Sequence, residues 1–260
     1  MNLYNYQHLN SISVDIIMPN YNKDKFIKYS INSVISQTFS NWNLFIIDDN
    51  SNDQSKKIIK SFDNNKIKKI YLPKNKGVAF CRNLGIRLSK SKYITFLDSD
   101  DYWTSNKLEE QIFFMDKNNY DFTYTNYTPF FLEKNDKILK KEIILPKYFS
   151  YEKFLNNTSI IMSSMILKRS IIGLKKFPKV KICEDYAFKC KILKSGIIAT
   201  KLNKNLTFYQ ISKNSLQSNN LRNVYWVWYI NKKYNRLTFF KNLKSLIFII
   251  ISSIRRYGII

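Results

Sequence analysis

Three carboxylates stand within four residues at Asp98-Ser99-Asp100-Asp101, directly after the strand-forming run Tyr93-Ile94-Thr95-Phe96-Leu97. Such crowding is electrostatically costly unless a cation holds the acids. In extended backbone alternate side chains share a face, so Asp98 and Asp100 are expected to point the same way. Two oxygen ligands at the end of a buried strand suit a hard divalent cation whose other ligands are water or phosphate. An acidic turn followed by a helix cap is the plainer alternative. A second acidic pair, Glu184-Asp185, opens a later stretch with Phe188, Ile192 and Leu193 at helical spacing.

The elements that must position these acids follow from the apolar pattern. Residues 14–18 read as a buried strand ended by Pro19, and Phe26, Ile27, Ile31, Val34 and Ile35 recur at helical spacing. Strands are expected at 44–47, 67–72, 93–97 and 122–125, with helices at 55–62, at 78–88 and around Leu108, Ile112 and Met115. Alternating strands and helices call for a mostly parallel sheet covered by helices. In such sheets ligands sit beyond the carboxyl ends of the strands. The unusual polar clusters lie at those ends: Pro19-Asn20-Tyr21-Asn22, Asp48-Asp49, Lys76-Gly77 and the tetrad at 98–101. Beyond them, 128–145 reads as an antiparallel excursion turning near Asn135-Asp136, and 160–167 as a further strand.

The chain has 260 residues, with 43 Lys+Arg against 19 Asp+Glu, a formal charge of +24. That length fits one large domain, or one domain and an appendage, and a hydrophobic content of 45% suffices for a core. Lys, Asn, Ile and Tyr abound throughout, so some of the charge is compositional bias. Its distribution is not: Asp185 is the last carboxylate, and 186–260 holds only Lys and Arg as charged residues. One-sided charge points to an anionic partner, membrane or nucleic acid. Cys81, Cys183 and Cys190 are odd in number and form no C-x-x-C pair, which disfavours disulfides and zinc and suggests a reducing compartment. Residues 1–13 lack the basic start and apolar run of a secretory signal. The longest apolar run, 246–251, is far short of the roughly 20 residues of a membrane span. His8 is the sole histidine, which argues against His-dependent hydrolase chemistry.

The ordered segments Val14-Asp15-Ile16-Ile17-Met18-Pro19-Asn20-Tyr21-Asn22, Ser36-Gln37-Thr38-Phe39, Ile47-Asp48-Asp49-Asn50-Ser51, Gly77-Val78-Ala79-Phe80-Cys81-Arg82-Asn83 and Asp98-Ser99-Asp100-Asp101 resemble the family 2 glycosyltransferases. The resemblance covers about 13–195. It implies an α/β GT-A fold, a Rossmann-like nucleotide-sugar domain over 12–212. It also implies an inverting sugar transfer from a UDP-sugar or dTDP-sugar to a hydroxyl of a glycan or lipid-linked acceptor. By the same resemblance Pro19 and Tyr21 line the base pocket, and Asp49 accepts from the base N–H; an acid favoured by a helix dipole is the plainer reading of Asp49. Gly77 supplies a sharp bend, and Arg82 approaches the diphosphate. Asn83 ties the loop to the acidic tetrad or is simply exposed, and it joins Ser99 in the donor-binding set. Asp100 would contact Mn2+ or Mg2+ directly, Asp98 would support the metal or touch the ribose of the donor, and Asp101 is read as a cap of the following helix. Asp185 is the implied general base, and Glu184 would orient acceptor or base. Ser163-Ser164-Met165 corresponds to a small-residue strand beside the acceptor.

Residues 213–260 lie outside the resemblance and read as a basic helical tail. Val224-Tyr225-Trp226-Val227-Trp228-Tyr229 is densely aromatic, and later aliphatics interleave with Lys241, Lys244 and Arg255-Arg256. That mixture fits helices lying on an anionic membrane through 222–260, or a helical pair packed on the domain. The expected location is peripheral, on the inner face of the cytoplasmic membrane. Two other readings compete: a GT-A-fold membrane adaptor without catalysis, and a basic nucleic-acid binder. A nucleic-acid partner is not expected, because the acids gather at the edge where a polyanion would dock.

Overall fold

The computed structural model describes residues 12–133, 136–211 and 220–257. The first half alternates strand and helix as the apolar runs dictate. Its elements are β1 (Val14–Asn20), α1 (Asp24–Ile35), β2 (Trp42–Asp48), α2 (Ser55–Ser61), β3 (Ile67–Tyr71), α3 (Val78–Leu88) and β4 (Tyr93–Phe96). After β5 (Tyr102–Trp103) and α4 (Lys107–Lys117), β6 (Phe122–Glu133) runs far beyond its expected end and pairs antiparallel with β7 (Asp136–Leu139). This is the expected antiparallel excursion; Asn135, named for its turn, lies outside the described residues. Then come β8 (Tyr148–Phe149), α5 (Tyr151–Leu155), a 3-10 turn (Met162–Ser164), β9 (Met165–Lys168), α6 (Arg169–Ile172), α7 (Glu184–Leu193) and β10 (Ala199–Gln210). The tail folds as α8 (Asn220–Ile230), a π-helical turn (Asn231–Asn235) and α9 (Phe239–Tyr257).

The strands form one sheet in the order β3-β2-β1-β4-β9-β6-β10-β5, with β7 beside β6 and β8 beside β10. Neighbours among β3, β2, β1 and β4 are parallel. β9 enters antiparallel between β4 and β6, and β10 returns parallel to β6. β1 is buried on both faces, as expected of a central parallel strand. Val14, Ile16 and Met18 pack into one apolar layer with Ile27, Ile31 and Leu108, while Ile17 faces the other with Cys81 and Phe188. The strand expected over 160–167 is shorter, because the 3-10 turn occupies its first half. β10 was not visible in the sequence: register shifts between Leu202 and Thr207 break its two-residue alternation.

The tail is not a free appendage. Val227, Ile230 and Leu246 belong to the same buried cluster as Phe188 and Tyr186 of α7. The boundary expected at 212–213 borders a segment, 212–219, outside the described residues. Membrane contact and packing on the domain were alternatives in the sequence; the packing is present.

Gly85 marks the closest approach of α3 to β1. A Cβ added there would overlap the Ile17 side chain. Gly85→Ala should therefore lower stability by about 1–3 kcal/mol, the usual cost of overpacking. Urea denaturation checks this, and an unchanged midpoint contradicts the close approach.

Candidate active site

The ends of β1 to β4 with the loops that follow them, α3 and the start of α7 carry the polar residues singled out above. Pro19 lies within the end of β1, and Tyr21 just beyond it is 47% exposed. Buried Asn20 donates to Asp48 at 2.8 Å, while Asp48 accepts from the Ser51 N–H at 3.0 Å. Asp49 is 3% exposed and accepts from the backbone N–H of Lys76 at 2.7 Å and of Gly77 at 2.8 Å. Its carboxylate thus pins the loop that starts α3. Gly77 holds φ at 86°, which side chains with a Cβ rarely adopt.

Arg82 is the centre of the cluster. It projects from α3 and is 4% exposed. One terminal nitrogen donates to Glu184 at 2.6 Å and the other to Asp98 at 2.7 Å, while its planar head lies 5.5 Å from the Phe177 ring centre. Burial alone would pull the guanidinium down, but Asp98 and Glu184, then Asp185, more than reverse this and hold it charged. The sequence reading turned this fork toward a diphosphate; here both terminal nitrogens face carboxylates. Asn83 also departs from expectation. It exchanges two hydrogen bonds with the Phe177 backbone, both at 2.9 Å, and so ties α3 to the segment before α7 rather than to the tetrad.

The tetrad is a turn, not a continuation of β4. The Asp101 N–H donates to the Asp98 carbonyl at 2.9 Å, so the same-face argument for Asp98 and Asp100 does not apply. Each acid instead takes its own partner: Asp98 meets Arg82, and Asp100 meets Lys23 at 2.6 Å. Burial and the Asp98 charge raise Asp100 above the usual carboxylate range, with Lys23 opposing. Asp101 does not cap the next helix, because β5 intervenes before α4. It accepts from the Ser163 hydroxyl and from the Gln210 N–H at 2.9 Å. Ser163 also receives the Asp98 N–H at 3.1 Å, and its carbonyl accepts from the Trp103 indole at 2.7 Å. Ser99 is buried, and its carbonyl accepts from Ser30 at 2.9 Å.

Glu184 and Asp185 open α7, where the helix dipole favours acids. Cys183, just before, holds φ at 62°, a strained setting for a residue with a Cβ that fixes how α7 begins. Asp185 Oδ2 accepts from Lys189 at 2.8 Å, and the Lys189 side chain is 2% exposed. The same ammonium donates to the Ile160 carbonyl at 2.6 Å. Burial pushes Asp185 up, but Lys189 and then Arg82 outweigh it and hold the carboxylate below its ordinary range. Burial and the Asp185 charge raise Glu184, against the pull of Arg82.

Among the described residues no three acidic, His or Cys side chains close a metal cage by themselves. Asp98 and Asp100 nonetheless fit a hard divalent ion. Each is partly exposed and keeps one oxygen outside its ion pair, and an ion that favours phosphate and water as further ligands needs no third side chain. A cleft of about 440 Å³ lined by Lys92, Lys168 and Arg169 opens near the start of β4, away from these acids.

This geometry can be set beside known proteins. The profile described as Glycosyl transferase family 2 matches residues 15–173. The chain belongs to that family. It is a glycosyltransferase, and the family resemblance read from its motifs is borne out. It is 37% identical over 216 residues to the Escherichia coli UDP-Glc:alpha-D-GlcNAc-diphosphoundecaprenol beta-1,3-glucosyltransferase WfgD, covering 83% of each chain. The crystal structure of S. aureus TarS 1-349 in complex with UDP-GlcNAc superposes with a TM-score of 0.69 at 18% identity, over 94% of this chain and 73% of that one. The mannosyltransferase PcManGT of Pyrobaculum calidifontis, solved with GDP-Man and Mn2+, superposes at 0.67 and 13% identity, over 99% of this chain and 83% of that one. These likenesses confirm the expected GT-A-like fold.

Within the glycosyltransferase, sequence reasoning missed Lys23 and Lys189 and gave Ser163 another task. Lys189 left a signal, since it lies four residues after Asp185 on one helix. Lys23 left none, because it meets Asp100 only through the tertiary fold. Asp185 also sets a pH dependence. Its folded pKa is depressed, so the ion pair stabilises above the ordinary carboxylate pKa of about 4 and fades as pH falls through the lower folded value. Asp185→Asn should thus cost about 1–3 kcal/mol at pH 7, leaving Lys189 buried and unpaired, with the gap to wild type closing in acid. Denaturant titrations at several pH values test this; a gap independent of pH contradicts it.

Proposed function

We propose that this glycosyltransferase moves a sugar from a UDP-sugar, or less favourably a dTDP-sugar, to a hydroxyl of a lipid-linked glycan acceptor, with inversion. The observation that carries the reading is the Asp98–Arg82–Glu184 bridge, centred on a buried guanidinium. It joins a donor-type acidic turn to the acidic pair at the start of α7, as a one-step displacement requires. The name of WfgD supports a UDP-linked donor and a diphosphoundecaprenol-linked acceptor, and the UDP-GlcNAc complex of TarS agrees with the former.

The nucleoside lies along Pro19, Tyr21 and Asp49, whose loop contacts leave lone pairs for a base N–H. Gly77 and Ser99 shape the backbone around the donor, and Asn83 braces that wall from behind. Asp98 and Asp100 would hold Mn2+ or Mg2+. Such an ion would supply charge neutralisation for the nucleoside diphosphate. Arg82 acts on this chemistry by fixing Asp98 and Glu184 rather than by gripping phosphate. The acceptor oxygen attacks the anomeric carbon, its proton passes to Asp185, and the bond to the diphosphate breaks. Lys189 fixes Oδ2 of Asp185, which leaves Oδ1 for that proton, and Glu184 orients the acceptor. A depressed base pKa keeps Asp185 ionised at neutral pH. The enzyme works at the inner face of the cytoplasmic membrane, reaching its lipid-linked acceptor through residues 222–260.

A donor panel read by nucleotide release, with and without Mn2+, tests this. One UDP-sugar should turn over only with metal. Asp185→Asn should lower kcat roughly 100- to 10,000-fold with donor KM nearly unchanged. Metal-independent turnover, or wild-type kcat in the variant, contradicts the assignment.

A further inference from the structure

α9 is built inside out. Its face toward the domain carries Asn242 and Ser245, each 1% exposed, and Ser252, among Leu246 and Ile249. Asn231 donates to Asn242 at 3.0 Å and to Ser245 at 3.2 Å, and accepts from Tyr186 at 2.7 Å. Ser245 donates to the Leu155 carbonyl. A polar knot therefore fastens the helix to α5 and to the residue that follows Asp185. The opposite face carries Phe240, Leu243, Ile247, Phe248, Ile251 and Ile254, all exposed, with Phe240 at 80% and Ile247 at 49%. A helix that served only to cover the domain would turn these residues inward. Six large apolar side chains on one outward stripe need another apolar medium.

The surroundings of the stripe indicate which medium. Lys244 and Arg255 are exposed on the same helix, Lys232 and Lys233 just before it, and no acid follows Asp185. Beside the stripe, a cleft of about 450 Å³ lies between α9 and residues 144–159, lined by Phe248, Ile251, Arg255, Arg256, Asn157 and Ser159. The Ser159 hydroxyl is buried there without a hydrogen-bond partner. Among the described residues no helix is long and apolar enough to cross a membrane. An apolar stripe flanked by cations, beside a cleft that offers guanidinium and hydroxyl donors, matches the interface of an anionic phospholipid layer.

We infer that α9 lies flat in an anionic phospholipid surface, its outer stripe among the acyl chains and a lipid phosphate in the cleft at Arg255 and Ser159. This rests on the membrane-side reading above and adds the surface, the orientation and the lipid site. Because the knot ties α9 to Tyr186, docking also fixes the height of Asp185 above the membrane.

Vesicle flotation of the full chain tests it, using neutral phosphatidylcholine and phosphatidylcholine with phosphatidylglycerol. Wild type should bind the anionic vesicles and release with salt. Ile247→Asp with Ile251→Asp should lose at least tenfold in binding while melting as wild type. Lys244→Gln with Arg255→Gln should weaken binding about fivefold per charge removed. Equal binding to neutral vesicles, wild-type binding by the aspartate variant, or a dimer dissolved by that variant without lipid would overturn the inference. Donor hydrolysis in detergent-free buffer, measured alongside, keeps the two claims apart: its absence in wild type counts against the donor reading and leaves the vesicle result standing.

Discussion

A single guanidinium organises the carboxyl edge of this sheet. Arg82 is buried with two carboxylates on its fork, and removing it leaves Asp98 and Glu184 to repel one another without their shared counter-ion. The same rule repeats nearby, where Lys23 answers Asp100 and Lys189 answers Asp185. A chain with 43 basic and 19 acidic residues can concentrate acids only where its cations hold them apart. The acids are therefore positioned before any donor arrives. Carboxylates preorganised in this way are ready to receive a cation without rearrangement.

Much of the first half was legible because its physics is local. Apolar runs closed by Pro19, Asp48, Pro73 and the tetrad mark strands, and α3 spans the residues its spacing indicated, 78–88. The motifs also carried the family and its fold. The pairings did not appear, because they join distant segments: Arg82 meets a residue 16 positions away and another 102 away. Extended backbone would put Asp98 and Asp100 on one face, but the turn closed by the Asp101 N–H gives each its own direction. Asn83 was read toward the tetrad, yet its helix phase turns it to Phe177. β10 stayed hidden because its bulges erase the alternation that identifies a strand.

The tail shows how one helix can satisfy two environments. Its small polar residues find partners within the protein, so its apolar residues are left facing outward. Periodicity alone cannot say which face of an amphipathic helix meets the domain. The knot through Asn231 and Tyr186 makes the tail part of the framework that holds α7, not an accessory to it.

The central claim is that two separately paired carboxylates, Asp98 and Asp100, receive a divalent ion together with a nucleoside diphosphate. Crystals grown with UDP and Mn2+, with anomalous data collected at the manganese edge, test it most directly. The account predicts one strong peak between Asp98 and Asp100 that also touches the diphosphate, with Arg82 still bridging Asp98 and Glu184. UDP bound in order with no manganese at those carboxylates, or with Arg82 swung from Glu184 onto the phosphates, would contradict it.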